Sequence, residues 1–265
     1  MRLDKIERPP LEAAIHRLYT ICIGQYVANR LTKQRLKLLW YAPGYWPILF
    51  LPNLSLLRKF WLLARLLRID WKVLHGHTPY ECAMVCRALA ERPSQLGETM
   101  IESGCWEGGS SAKWSLMCQV MGYHLIIYDS FEGVEVAASP VGEYDYSGEY
   151  AAQEEVVWQN LKRYGAPDSC RTVKGWFCET MGAGKIINQV RLAYIDCDTA
   201  KGTKEALTGI IPAMTKDCVI FSQDCHIPSV LRFLTNPSTW KDFKIPIPRM
   251  QRLERRLVRL EMGIP

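Results

Sequence analysis

"MIESGCWEGGSSAKWSL", Met100–Leu116, decides the fold. An apolar lead runs into Glu102, glycines follow at 104, 108 and 109, and after Ser110 and Ser111 polar and apolar residues recur at helical spacing. A strand that turns through glycines straight into a helix opens a parallel α/β sheet. The G-x-x-x-G-G spacing is neither the G-x-x-x-x-G-K-S/T of a phosphate loop nor the G-x-G-x-x-G of a dinucleotide turn. A nucleoside triphosphate and a nicotinamide dinucleotide are therefore poor candidates for what this turn holds.

The same alternation continues outward. Pro79 to Arg92 reads as a helix with Thr78 as its N-cap and proline in its first turn. A strand spans Thr99 to Glu102, a helix Ser110 to Met121, and "HLIIYDSFEG" contains a strand, Leu125 to Tyr128, that ends in Asp129. A polar loop precedes a helix from Ala151 to Tyr164, a short strand from Arg171 to Lys174 and a helix after Glu179. "VRLAYIDCD" is a strand, "TKEALTGIIPAM" a helix and "DCVIFSQD" a strand, and the two-residue alternation of "LVRLEM" gives one more. Strands and helices in turn imply a mostly parallel sheet with helices on both faces.

Ligands of such sheets lie beyond the carboxyl ends of the strands. Those ends carry Glu102, Asp129, Asp196 with Asp198, and Asp224, so most are acidic. A glycine turn flanked by carboxylates suits a nucleoside that bears positive charge and no phosphate. Asp129, at the end of the second strand, is placed to accept hydrogen bonds from ribose hydroxyls. Together these residues point to S-adenosylmethionine.

Bulk properties agree with one main domain. The chain has 265 residues, 48% of them hydrophobic, and a formal charge of +6. Lys and Arg crowd residues 1 to 75, whereas acid clusters concentrate between 98 and 155, a split that argues against nucleic acid as a partner of the main domain. The ten cysteines are scattered singly through apolar stretches, and the expected start lacks a signal peptide; reduced thiols and a cytoplasmic location are expected. Cys82 and Cys86 share a helix face but lack the further ligands of a zinc site.

The front segment, 1–75, differs from 76–265. From Trp40 to Leu54 its apolar centre is broken by Pro43, Pro47 and Pro52, which argues against a membrane-spanning helix. From Leu56 to Leu74 a basic amphipathic helix is expected, with Leu56, Phe60, Leu63, Leu67 and Leu74 on its apolar stripe. Two uses fit this pattern: packing on the core or on a second subunit, and lying on the inner face of an anionic membrane.

"MIESGCWEGGSS", "IIYDSFEG", "VKGWFCET" and "LAYIDCD", in this order, resemble the macrocin O-methyltransferase (TylF-like) family over roughly residues 76 to 235. The resemblance implies a seven-stranded class I methyltransferase fold (Rossmann-like), S-adenosylmethionine as methyl donor, and a saccharide or small-molecule acceptor. It implies a donor loop of Glu102, Ser103, Gly104 and Gly108, with Ser110 near the methionine end. Asp129, with Ser130 and Phe131, would hold the ribose, and Trp176 and Phe177 would lie near adenine.

The resemblance also implies magnesium, and here the chain departs from it. Sugar-modifying members end the fifth strand in two aspartates, whereas this chain reads "SQDC", with Gln223 at the first position and Asp224 at the second. Asp196, Asp224 and the Gln223 carbonyl form the expected ligand set; the alternative is a site in which Asp196 works without metal. The chemistry implied is displacement of the sulfonium methyl by an acceptor hydroxyl. Asp196, Asp224 and His226 are the candidate catalytic residues, His226 as general base, with Glu132 and Glu135 facing the acceptor. The loop carrying Tyr144, Asp145, Tyr146 and Tyr150 suggests a lid, and Asp198 reads either as a ligand or as a helix N-cap. A non-catalytic binding protein and a nicotinamide-dependent oxidoreductase are the rival classes, the latter disfavoured by the glycine spacing.

Overall fold

The computed structural model describes residues 29–95, 97–136, 143 and 145–263. Seven strands, β1 (Glu98–Ser103), β2 (His124–Asp129), β3 (Cys170–Lys174), β4 (Gln189–Ile195), β5 (Met214–Ser222), β6 (Arg249–Arg252) and β7 (Val258–Glu261), form one sheet in the order β3-β2-β1-β4-β5-β7-β6. β1 to β5 pair in parallel, and β7 runs antiparallel to both β5 and β6. Order reverses at β1, which lies between β2 and β4, so a crevice opens beyond its carboxyl end.

The two-residue period of the central strands sorts their side chains onto two faces. Met100, Leu125, Ile127, Leu192 and Tyr194 join one hydrophobic cluster; Ile101, Ile126, Tyr128, Ala193 and Ile195 join the other. The first face is covered by α3 (Pro79–Glu91), α4 (Gly109–Met121) and α5 (Glu154–Tyr164), the second by α7 (Ala200–Ala213), α8 (Pro228–Thr235) and α9 (Pro237–Asp242). Between α5 and α7 lies the single turn α6 (Phe177–Thr180). α3 opens with a full capping box, in which Glu81 N–H donates to Thr78 Oγ1 and Thr78 N–H donates to the Glu81 carboxylate.

Described residues of the front segment share the first cluster. α1 (Arg30–Tyr41), a 3₁₀ helix (Ala42–Phe50) and α2 (Leu56–Lys72) bring Tyr45, Ile48, Leu62, Leu66, Ile69 and Val73 against α3 and α4. The buried stripe is not the expected Leu56, Phe60, Leu63 series; Leu56 and Phe60 face solvent. α2 is apolar over much of its circumference, so periodicity alone does not choose its inner face. A polar tie adds to this packing: Asp70, on α2, accepts a hydrogen bond from Tyr45 Oη at 2.7 Å and pairs with the wholly buried Lys113 of α4. His75 Nε2 lies 2.8 Å from the same carboxylate. Burial alone raises the Asp70 pKa, but Lys113 and then His75 pull it below the usual range.

Three elements differ from expectation. The residues after Glu179 form turns instead of a helix, because Gly182 and Gly184 interrupt them; the helical turn α6 precedes them. β5 begins at Met214, so α7 ends at Ala213, one residue after Pro212. β6, "RMQR", is a polar edge strand with no apolar alternation to announce it. All nine described cysteines are free.

Candidate functional site

β1 ends in a turn whose shape only glycine permits. Gly104 has φ of +86°, and a β-carbon there would lie 2.0 Å from the Asp196 carbonyl oxygen at the end of β4. Gly108, at φ of +78°, precedes α4 and lies against Val157 of α5. Trp106, between them, takes φ of +48° and meets Tyr150 edge-on, with ring centroids 5.2 Å apart.

Beyond this turn the carboxyl ends of β1, β2, β4 and β5 surround a cleft. Gly104, Ser110, Asp129, Ser130, Trp176 and Phe177 line it, as do Asp196 and Gln223. Glu135, beyond Ser130, also lines it and pairs with Lys201. Other residues named from the sequence lie outside the lining: Glu102 and Ser103 are buried beneath the turn, Gly108 backs onto α5, and Phe131 packs in the first cluster. Asp224 is buried below the floor, and His226 lies off the cleft, where burial and then Arg256 lower its pKa to about 4. Of the lid residues, Tyr150 lines the cleft and Tyr146 packs near it with ring centroids 5.9 Å apart; Tyr144 lies outside the described residues.

Asp129 is held by the backbone on both sides. Its Oδ2 accepts from Cys105 N–H at 2.7 Å and its Oδ1 from Phe131 N–H at 2.8 Å. Each carboxylate oxygen has two acceptor directions, so one on each remains for a ligand. Glu102, in contrast, is fully buried; its Oε2 accepts from Ser111 Oγ at 2.5 Å and its Oε1 has no partner. Burial outweighs the Ser110 and Ser111 hydroxyls and pushes its pKa up to about 8.

Opposite Asp129 lies an acidic corner. Asp196, Asp198 and Asp224 each offer a carboxylate oxygen within 4.8 Å of the others. Asp224 Oδ2 accepts from Cys197 N–H at 2.8 Å and Asp198 N–H at 2.9 Å, which ties β5 to the loop after β4. Burial raises the pKa of all three, followed by repulsion from a neighbouring carboxylate: Asp198 for Asp196, Asp224 for Asp198 and Asp196 for Asp224. The Gln223 amide satisfies its surroundings when its NH₂ donates to Asp196 Oδ1 at 3.1 Å and Asp224 Oδ1 at 3.2 Å. In that orientation Gln223 neutralises part of the corner as a donor, and its carbonyl, the expected metal ligand, points away. Asp198 does not cap the following helix; Thr199 Oγ1 does, accepting from Gly202 N–H, while Asp198 takes φ of +54° and lines the cleft.

Several lining residues come from outside the strand ends. His75 and His77 enter from the segment after α2, with ring centroids 4.4 Å apart, and Arg256 from the β6–β7 turn. Lys113 Nζ donates to His77 Nε2 at 2.9 Å, and burial with the Lys113 charge lowers both imidazole pKa values. The "HGH" triplet was the visible signal for the histidines; Arg256, more than a hundred residues from the glycine turn, carried none.

The sheet order, the glycine turn after β1 and the acid after β2 define a class I methyltransferase fold. The O-methyltransferase NovP has a TM-score of 0.60 at 16% identity, covering 87% of this chain and 100% of that one. The calicheamicin methyltransferase CalS11 has a TM-score of 0.51 at 18% identity over 98% and 95% of the two chains. The SAH-bound Podospora anserina methyltransferase PaMTH1 has a TM-score of 0.51 at 11% identity over 97% and 98%. At these identities the likeness is one of fold. No match was found among curated proteins. The model of the macrocin-O-methyltransferase (TylF) family matches residues 90–252, and the chain belongs to that family of methyltransferases.

Proposed function

We propose that the protein transfers a methyl group from S-adenosylmethionine to a hydroxyl of a sugar, glycolipid or related natural product. The observation that carries this reading is Asp129, fixed by two backbone N–H groups at the end of β2 and facing the cleft beside Gly104 and Ser110. Its remaining lone pairs suit ribose hydroxyls, and the acidic corner suits a cationic donor. The family match and the NovP and CalS11 folds support a methyl acceptor of the natural-product sugar kind.

When bound, S-adenosylmethionine supplies an electrophilic methyl on its sulfonium. The chain's own part is to hold the acceptor oxygen in line with that methyl, which lowers the barrier by fixing geometry. Transfer would join that methyl to the acceptor oxygen and release the donor as its neutral thioether, with the chain's residues supplying the alignment and the base. Asp196, whose side chain lines the cleft at the end of β4, takes the hydroxyl proton.

The oxygen-only donor set of Asp196, Asp198 and Asp224 fits magnesium, which prefers carboxylates and water in an octahedron. Those three residues would hold the ion, which would supply Lewis acidity toward the acceptor oxygen. Gln223 favours a second reading, in which the amide replaces part of the cation's charge and the reaction runs without metal. Incubation with methyl-labelled S-adenosylmethionine and a panel of glycosides, nucleotide sugars and glycolipids tests the proposal. Label on an acceptor oxygen is expected; donor binding with no transfer to any hydroxyl would favour a non-catalytic binding protein.

A further inference from the structure

α2 has two apolar faces, and only one of them is used by the fold. Leu62, Leu66 and Ile69 are buried against α3 and α4. On the other side, Leu57 is 83% exposed, Phe50 68% and Trp46 65%, and Leu56, Phe60 and Trp61 are exposed beside them. Trp46 and Phe50, on the 3₁₀ helix, have ring centroids 5.7 Å apart, and a short connection joins that helix to the start of α2. The exposed end of α1 adds Leu39 and Trp40. Isolated exposed apolar residues need no explanation, but aromatic and leucine side chains gathered on adjoining elements mark an interaction surface.

Charge selects the occupant. Among residues 29–75 Asp70 is the sole acidic residue, and it is buried with Lys113. Arg58 and Lys59 follow Leu57 in the first turn of α2, Arg58 exposed and Lys59 half-buried, and Lys37 of α1 and Arg68 and Lys72 of α2 are exposed. A second copy meeting this surface about a two-fold axis would set these cations against their own counterparts. An anionic bilayer offers the complement: headgroups for the cations, an apolar boundary for the leucines, and the interfacial depth that tryptophan occupies. Among the described residues no helix is long and apolar enough to cross a membrane.

We propose that the face formed by the 3₁₀ helix and the first half of α2 docks the protein on an anionic lipid surface. The tie between Asp70 and Lys113 then holds the methyltransferase domain rigidly to its anchor, because it joins α2 to the helix that follows the glycine turn. The inference does not rest on the identity of the acceptor or on methyl transfer.

The test is co-sedimentation of the full-length chain with vesicles of phosphatidylcholine alone and of phosphatidylcholine mixed with phosphatidylglycerol. Binding to the mixed vesicles alone is expected, with a blue shift of tryptophan emission. Arg58→Ser with Lys59→Ser should lower partitioning about 30-fold, and Trp46→Ser with Phe50→Ser by at least about tenfold. All four residues lie outside the cleft, so unfolding temperature and S-adenosylhomocysteine binding should stay at wild-type values and report an intact fold. Absence of sedimentation with any vesicle would overturn the proposal. So would binding indifferent to phosphatidylglycerol, or a dimer broken by Trp46→Ser with Phe50→Ser.

Discussion

Gly104 lies so close to Asp196 that a β-carbon on it would come within 2.0 Å of the Asp196 carbonyl oxygen. The ends of β1 and β4 are therefore pressed together where the proposed donor and acceptor halves of the cleft meet. Gly104→Ala must both push the two strand ends apart and hold alanine at a φ of +86°. A loss of about 1–3 kcal/mol is expected from the backbone strain alone. Thermal unfolding and S-adenosylhomocysteine titration of the variant should both show a defect, whereas Gly263→Ala, where a β-carbon meets nothing and φ is not positive, should leave both unchanged.

Lys113 and Asp70 predict an asymmetry. Lys113→Met leaves the Asp70 carboxylate buried without its main partner, at a cost of about 3–5 kcal/mol. Replacing both, Asp70→Leu with Lys113→Met, removes the unpaired charge and should restore part of that loss. Chemical denaturation of the two variants checks this; a double variant less stable than Lys113→Met would contradict it.

Glu102 predicts a pH dependence. Its folded pKa, about 8, lies above the ordinary value of 4.5, so the folded state holds a proton that the unfolded state releases. Its contribution to stability is present at low pH and is lost as pH rises from about 4.5 to about 8, then levels off. Glu102→Gln mimics the protonated form and should flatten that slope. Subtracting the two unfolding profiles isolates the group from the other buried carboxylates; parallel profiles would contradict the assignment.

Gln223→Asp adds a carboxylate to the corner and removes the amide donor between Asp196 and Asp224. Affinity for magnesium or manganese should rise at least about tenfold, since ligand charge sets the affinity of such sites. Titration calorimetry with the metal alone reads this directly.

Much of this was legible because of how particular residues pattern. β1, β2 and β4 announce themselves by short apolar runs ending in acid, and the carboxyl-end rule then places Asp129 and Asp196 around one cleft. β6 escaped because its four residues are polar and lie on an edge. The inner stripe of α2 escaped because leucine occupies most of its sides, so that only packing against α3 and α4 selects Leu62 and Leu66. His77 and Arg256 reach the cleft by tertiary folding, and no local spacing encodes that meeting. Gln223 was visible as a departure, but its role as a donor depends on two carboxylates from different strands.

The central claim is that Asp129 and the glycine turn hold S-adenosylmethionine. Calorimetric titration with S-adenosylhomocysteine, for the wild-type chain and for Asp129→Ala, tests it most directly. The account predicts measurable binding that weakens about thirtyfold or more in Asp129→Ala, the loss expected for hydrogen bonds to a charged group. No heat and no shift in unfolding temperature with the wild-type chain, or equal affinity in the variant, would contradict it.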